Sequence, residues 1–211
     1  MNYKRKEVIG DCVLYLGDNR EVVPYLQDVG AILIDPPYGI GMDKGVGWDR
    51  ETPDLDFMLK LQCPKIIWGG NYFNLPCSRG WLVWHKPDSV PTMADAELAW
   101  TSMDMNVKYI KQSIAATNAE RVNHPTQKPL RVMQWCINFL PNNNTTILDC
   151  YLGSGTTLVA CAKMGRKGIG IEIDENYFNI ACKRVEDAYK QPDMFVEQPK
   201  KKPEQGNLTA L

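Results

Sequence analysis

At 211 residues the chain is long enough for one domain of about 150 to 200 residues with a small elaboration, and too short for two large independent domains. A hydrophobic share of 44% and a charged share of 23% are ordinary globular usage, which excludes a disordered chain and calls for a sizeable buried core. The charge balance, 24 Lys and Arg against 25 Asp and Glu for a formal net of −1, argues on composition alone against a nucleic-acid partner.

No apolar run approaches the ~18 residues of a membrane helix. The opening stretch MNYKRKEVIGDC lacks the apolar segment of a signal peptide, so a soluble cytoplasmic protein is expected. The seven cysteines (Cys12, Cys63, Cys77, Cys136, Cys150, Cys161 and Cys182) are odd in number, widely spread and without a C-x-x-C pair. They read as small core residues of a reducing compartment, with no disulfide framework and no metal site.

In chain order, short apolar runs bounded by turn residues predict strands at 13–16, 31–34, 65–68, 81–84, 107–110, 146–148 and 168–171. Several end in Gly or Asp, as buried parallel strands do where they open into a functional edge. Gly10-Asp11, echoed by Gly17-Asp18, reads as a hairpin turn followed by a strand end. Helices are predicted at 130–140 after a proline, at 156–164 closed by Gly165, and at 175–189 with Asp174 as N-cap. Strands alternating with helices predict an α/β fold, a mostly parallel sheet with helices on both faces. Residues 87–123 carry weak periodicity and many polar side chains, as an insertion or irregular edge would. From Gln191 onward Pro, Lys, Glu and Gln dominate, so the folded domain is expected over 1–190 and a flexible tail over 191–211.

Three motifs carry chemistry. Asp35-Pro36-Pro37-Tyr38 directly follows the apolar run AILI. Two successive prolines remove two backbone donors, so the Asp35 carboxylate and the neighbouring carbonyls present only acceptors at the sheet edge. Such a site suits an aromatic NH₂ group, one hydrogen going to Asp35 and one to the Pro36 carbonyl, with the Tyr38 ring stacked on the heterocycle. The second motif runs from a strand through a glycine loop into a helix: Asp149-Cys150-Tyr151-Leu152-Gly153-Ser154-Gly155-Thr156-Thr157. Glycines let a ligand approach the backbone, and Glu172, about 20 residues on at the end of the next strand, can accept from ribose hydroxyls. A nucleoside-containing cofactor is implied. Leu158 stands where the third glycine of a dinucleotide fingerprint belongs, and a helix N-terminus with a ribose acid serves S-adenosylmethionine equally well. The third motif, His124-Pro125-Thr126-Gln127-Lys128-Pro129, precedes a helix and offers a hydroxyl and an ammonium to a carboxylate.

Together and in this order, DPPY, HPTQKP, DCYLGSGTT and GIGIEID followed by ENYFNIACKRVED resemble the amino-methyltransferases of DNA in their permuted beta group, over roughly residues 13 to 188. The resemblance implies a seven-stranded, mostly parallel Rossmann-like sheet and S-adenosylmethionine as cofactor. It implies that Asp35, Pro36 and Tyr38 hold a flipped base while Pro37 shapes the loop. Asp149, Tyr151, Gly153, Ser154, Gly155 and Thr156 would line the cofactor, with Glu172 on its ribose, Thr126 and Lys128 on its carboxylate and Asp18 beside its adenine. Trp84-His85-Lys86-Pro87 resembles the segment bordering the catalytic pocket. Lys86, Arg121 and Arg131 are candidate cations for DNA, along with Lys128 and the tail lysines Lys200 to Lys202.

The implied reaction, in the cytoplasm of a bacterial or phage-infected cell, is methylation of an exocyclic base amine, without a metal. Asp at the first motif position favours adenine N6, with cytosine N4 as the alternative in the family. An enzyme acting on RNA or a protein amide, or a binding module without turnover, remain rival readings of the same residues. A variable region limited to 87–123, and not basic, implies a short or relaxed DNA site, or the help of a second subunit in a homodimer.

Overall fold

A strand that is apolar on both sides needs cover on both faces, and the chain supplies it by returning to one sheet from above and below. The computed structural model describes residues 2–41, 49–115, 127–142 and 144–190. Among them nine strands form one sheet: β1 (Arg5–Ile9), β2 (Cys12–Leu16), β3 (Val29–Ile34), β4 (Lys65–Trp68), β5 (Trp81–His85), β6 (Ala96–Thr101), β7 (Lys108–Lys111), β8 (Thr146–Asp149) and β9 (Gly168–Glu172). Their order is β1-β2-β9-β8-β3-β4-β6-β5-β7.

All seven predicted strands exist, and they are the seven that share one direction. The expectation of a seven-stranded sheet is corrected to nine by β1 and β6, the two that run against the others. The physical reason is their composition. β1 (RKEVI) is an exposed edge strand, and β6 (AELAWT) lies inside the sheet with its first half only partly buried. Neither presents an unbroken apolar run, so neither stands out in the sequence. Strands β6 and β7 both come from the weakly periodic segment 87–123. Gly10-Asp11 is the turn of the β1–β2 hairpin, with Gly10 at φ 55°, and Gly17-Asp18 follows the end of β2.

One face of the sheet is covered by α3 (Leu130–Ile137), α4 (Thr156–Lys163) and α5 (Glu175–Lys190), which bury Val132, Leu158 and Phe178 against Leu14, Leu33 and Trp68. The other face carries two short helices, α1 (Asn19–Val22) and α2 (Asp56–Leu59), with Val22 and Met58 set against Ile32, Ile67 and Ile171. The Asp174 carboxylate accepts from the Asn176 and Tyr177 amides at 2.8 and 3.0 Å and starts α5 as predicted. Helix α3 stops at Ile137, short of the predicted Leu140, and ends in a turn. Five of the seven cysteines are buried, Cys63 is half-buried and Cys77 exposed; all seven are free thiols. No described helix is long and apolar enough to cross a membrane.

Phe178 is fully buried where α5 meets the sheet, and the Arg5 guanidinium lies 5.3 Å from its ring centroid. Phe178→Ala should therefore cost about 3–5 kcal/mol. A shifted urea midpoint with an unchanged slope is the expected result.

Candidate active site

The C-terminal ends of the parallel strands collect the motif residues. Neighbouring strands β9, β8 and β3 end in or run directly into Glu172, Asp149 and Asp35, while β2 leads to Asp18 and β4 to Gly69. Because β6 is antiparallel, its first residues, Ala96 and Glu97, come to the same edge. The result is a cleft of about 1420 Å³ whose walls include Asp18, Asp35 to Tyr38, Tyr72, Glu97, Lys128, Asp149, Gly153 and Glu172. Two motifs more than a hundred residues apart thus share one cavity.

Each acid is held differently. Glu172 accepts three backbone N–H bonds, from Gly153 at 2.6 Å on Oε2 and from Ile173 and Asp174 at 2.9 Å on Oε1. Burial raises its carboxyl above the ordinary value, and these amides oppose the rise. Asp149 accepts from the Tyr151 amide at 3.0 Å and from the Thr157 hydroxyl at 2.5 Å; burial, with no cation beside it among the described residues, pushes its carboxyl up to about 7. Asp35 is met by the Lys128 ammonium, 2.7 Å from both oxygens, and by the Tyr38 hydroxyl at 2.6 Å. Its carboxyl is raised by burial against the pull of Lys128.

The Asp35-Pro36-Pro37-Tyr38 loop is fastened from outside itself. The Asp49 carboxylate accepts from the Tyr38 and Gly39 amides at 2.7 and 2.8 Å. The Tyr38 ring stacks on Tyr72 with centroids 5.0 Å apart and planes 15° from parallel, and meets Phe73 edge-on. Gly69, at φ +67°, makes this possible, because a Cβ there would fall 2.2 Å from the Tyr38 ring. In the glycine loop, Gly155 at φ +87° packs on Ala181 of α5, where a Cβ would lie 2.8 Å from the alanine methyl; it supports the loop from behind the cleft. Ser154 and Thr156 accept from Arg184 of α5 at 2.9 and 3.2 Å, which ties the loop to the helix. Asp18 caps α1 through the Arg20 amide at 2.9 Å and pairs with the Arg20 guanidinium.

Among the cations expected at DNA, Arg131 is exposed and donates to Gln112 at 3.2 Å. Lys86 turns inward, its ammonium 2.5 Å from Glu97 and 4.7 Å from the Trp84 ring centroid. Lys128, expected at a cofactor carboxylate, sits on Asp35 and 3.0 Å from Glu97. Thr126, Arg121, His124 and the tail lysines lie outside the described residues. Sequence reasoning missed Glu97, Tyr72, Asp49 and Arg184. A signal existed for Tyr72 alone: WGGNYF after the run KIIW repeats the pattern of a strand end, glycines and an aromatic residue.

A family model described as "DNA methylase" matches residues 60–183. The chain belongs to this DNA methylase family. Among curated relatives it is 43% identical over 70 residues to the type II methyltransferase M.ScaI of Streptomyces caespitosus, covering 33% of this chain and 23% of that protein. It is 35% identical over 86 residues to M.HpaI of Haemophilus parainfluenzae, covering 41% and 27%. These alignments thus span about a quarter of the relatives' lengths. Among solved structures, a complex of M1.HpyAVI with S-adenosylmethionine aligns over 81% of this chain and 98% of its own, at 26% identity and a TM-score of 0.58. The PvuII DNA methyltransferase, described as cytosine-N4-specific, aligns over 90% and 95%, at 16% identity and a TM-score of 0.60, a likeness of fold.

The Asp149 carboxyl yields a pH prediction. Its folded value of about 7 stands above the ordinary 3.8, so the folded state holds this proton more tightly than the unfolded chain. The stability it contributes is complete below about pH 4 and is lost as the pH rises through about 7, on the order of 4 kcal/mol at most. In urea titrations of the ligand-free protein from pH 4 to 8, Asp149→Asn should remove that part of the decline.

Proposed function

We propose that the protein is a DNA amino-methyltransferase that transfers a methyl group from S-adenosylmethionine to the exocyclic amine of a base turned out of the duplex, with adenine N6 as the target. The observation that carries the reading is the Asp35 carboxylate beside the Tyr38 ring, opening into the same cleft as Asp149, Gly153 and Glu172. Membership of the DNA methylase family supports DNA as the substrate.

The residues fit the donor. Glu172 Oε2 carries one backbone hydrogen bond, from Gly153, and keeps a lone pair for a ribose hydroxyl. Asp149, buried with no cation against it among the described residues, suits the donor's ammonium. Asp18, in the wall of the cleft, would border the adenine end, and the sequence motif assigns the donor carboxylate to Thr126, which lies outside the described residues. When bound, S-adenosylmethionine supplies an electrophilic methyl on a sulfonium, displaced in line.

The chain's own part is positioning and proton handling. An exocyclic amine is a weak nucleophile because its lone pair is shared with the ring. Asp35 accepting one N–H, and the Pro36 carbonyl the other, draws the nitrogen toward tetrahedral geometry and localises that pair. As the N–C bond forms, the proton leaving the nitrogen passes to an Asp35 oxygen. Tyr38 offers a ring face to the flipped base, which offsets an unstacking cost of a few kcal/mol. Tyr72 covers that face in the free protein and is the second ring that a base between the two would meet.

Methyl transfer from labelled S-adenosylmethionine to unmethylated bacterial DNA, followed by nucleoside mass spectrometry, should yield N6-methyladenine. Labelled N4-methylcytosine would correct the target, and label in RNA or protein alone would overturn the reading. Asp35→Ala should bind S-adenosylmethionine and lose at least a hundredfold in rate, on the order of 3 kcal/mol. With Lys86 engaged in the site and a net charge of −1, non-specific DNA binding should release few counterions. A log–log salt slope well below about ten is expected by fluorescence anisotropy.

A further inference from the structure

We propose that Glu97 is a positioning residue for methyl transfer: it receives the Lys128 ammonium when the target amine takes Lys128's place on Asp35. The proposal rests on the function proposed above and concerns the same cleft.

In the free protein the atoms meant for the amine are already taken. The Lys128 ammonium has three N–H bonds and four acceptors in reach: both Asp35 oxygens at 2.7 Å, the Tyr38 hydroxyl at 3.0 Å and Glu97 Oε2 at 3.0 Å. The amine can donate to Asp35 only after the ammonium withdraws. Lys128 is 6% exposed, and the base and the donor would fill the cleft that it lines, so its charge needs a counter-charge as it moves. Among the described residues, the carboxylate other than Asp35 within ion-pair distance of it is Glu97.

Glu97 is built to wait there. Its other oxygen is held by Lys86 at 2.5 Å, and Lys86 lies over the Trp84 ring. Glu97 pairs across β5 with Trp84 in the sheet register, so the backbone of an interior strand fixes its place. Burial pushes the Glu97 carboxyl up, and the two ammoniums outweigh it and keep the group ionised. The quartet of Asp35, Glu97, Lys86 and Lys128 is formally neutral. Moving Lys128 from Asp35 toward Glu97 therefore redistributes charge without creating any. The step leaves Asp35 with a stronger pull on the amine proton, because the cation that weakened its basicity now faces another acid.

The charged and titratable groups facing Asp35 among the described residues are Tyr38 from its own loop, Lys128 ahead of α3, Glu97 on β6, Asp149 at the end of β8, and Lys86 behind Glu97. Removing the Glu97 charge leaves Lys128 wholly on Asp35 and lowers the Asp35 carboxyl. Removing Lys86 does the reverse.

The test uses the full chain with Glu97→Gln, Glu97→Asp and Lys86→Met. For Glu97→Gln, the acid limb of kcat/KM toward DNA should move to lower pH by about one unit and the plateau rate should fall about tenfold, with the Kd for S-adenosylmethionine changed less than about twofold. Glu97→Asp should restore most of the rate, and Lys86→Met should move the limb to higher pH. A ¹³C-carboxyl titration of Asp35 in the ligand-free proteins reads the same coupling without turnover, so a wild-type protein inactive on DNA would refute the DNA reading and still leave Glu97 tested. An Asp35 titration that is the same in wild type and Glu97→Gln would overturn the proposal. So would a rate loss in both Glu97 variants that follows their loss of thermal stability and leaves the limb unmoved.

Discussion

Three neighbouring strands end in acids at one edge of the sheet, and burying three carboxylates side by side is the constraint that the surrounding residues answer. Desolvation pushes all three toward their neutral forms. Glu172 is answered by amides of its own turn and of the glycine loop, which hold an anion without spending a positive charge. Asp149 is answered by a hydroxyl and one amide, too little to keep it fully ionised. Asp35 is answered by an ammonium. These three solutions leave the three acids of one cleft in different states: one held by amides, one by a cation, and one with no cation beside it among the described residues.

The second constraint is rigidity at the Asp35 loop. Two prolines remove donors and restrict the backbone, but they do not decide where the Tyr38 ring lies. Its place comes from Asp49 gripping two amides, from the absence of a side chain at Gly69, and from the Tyr38 hydroxyl donating to Asp35. Ring and carboxylate are therefore held as one unit, as the proposed base-binding role requires. The glycine loop is fixed by the same logic from the helix side, through Arg184 and the close seat of Gly155 on Ala181.

The near-zero net charge takes on a different meaning once the sites of the charges are known. Lysines that composition counts as possible DNA contacts are consumed inside the cleft, Lys86 on Glu97 and Lys128 on Asp35 and Glu97. Their work there is local, neutralising acids that the sheet edge brings together. Composition cannot separate a lysine that meets phosphate from one that balances a buried carboxylate, because both count as one positive charge.

What the sequence determined by itself is the set of parallel strands and the residues at their ends. Buried parallel strands read as unbroken apolar runs, and the turns that follow them are punctuated by Pro, Gly and Asp, so both are local signals. Six of the seven strands, the starts of three helices, and the positions of Asp35, Tyr38, Asp149, Gly153 and Glu172 at the sheet edge were legible on that basis; the seventh strand, β7, is exposed. Tertiary structure alone decided the rest. β6 is fully buried over only its second half and runs antiparallel, so nothing local announced that AELAWT would enter between β4 and β5 and carry Glu97 to Lys128. Lys128 lies 93 residues from Asp35 along the chain, and its motif gave no sign of which acid it would meet. A partner chosen by strand order is invisible to spacing, because the distance between two groups at a sheet edge depends on which strands are neighbours and not on the residues that separate them in sequence.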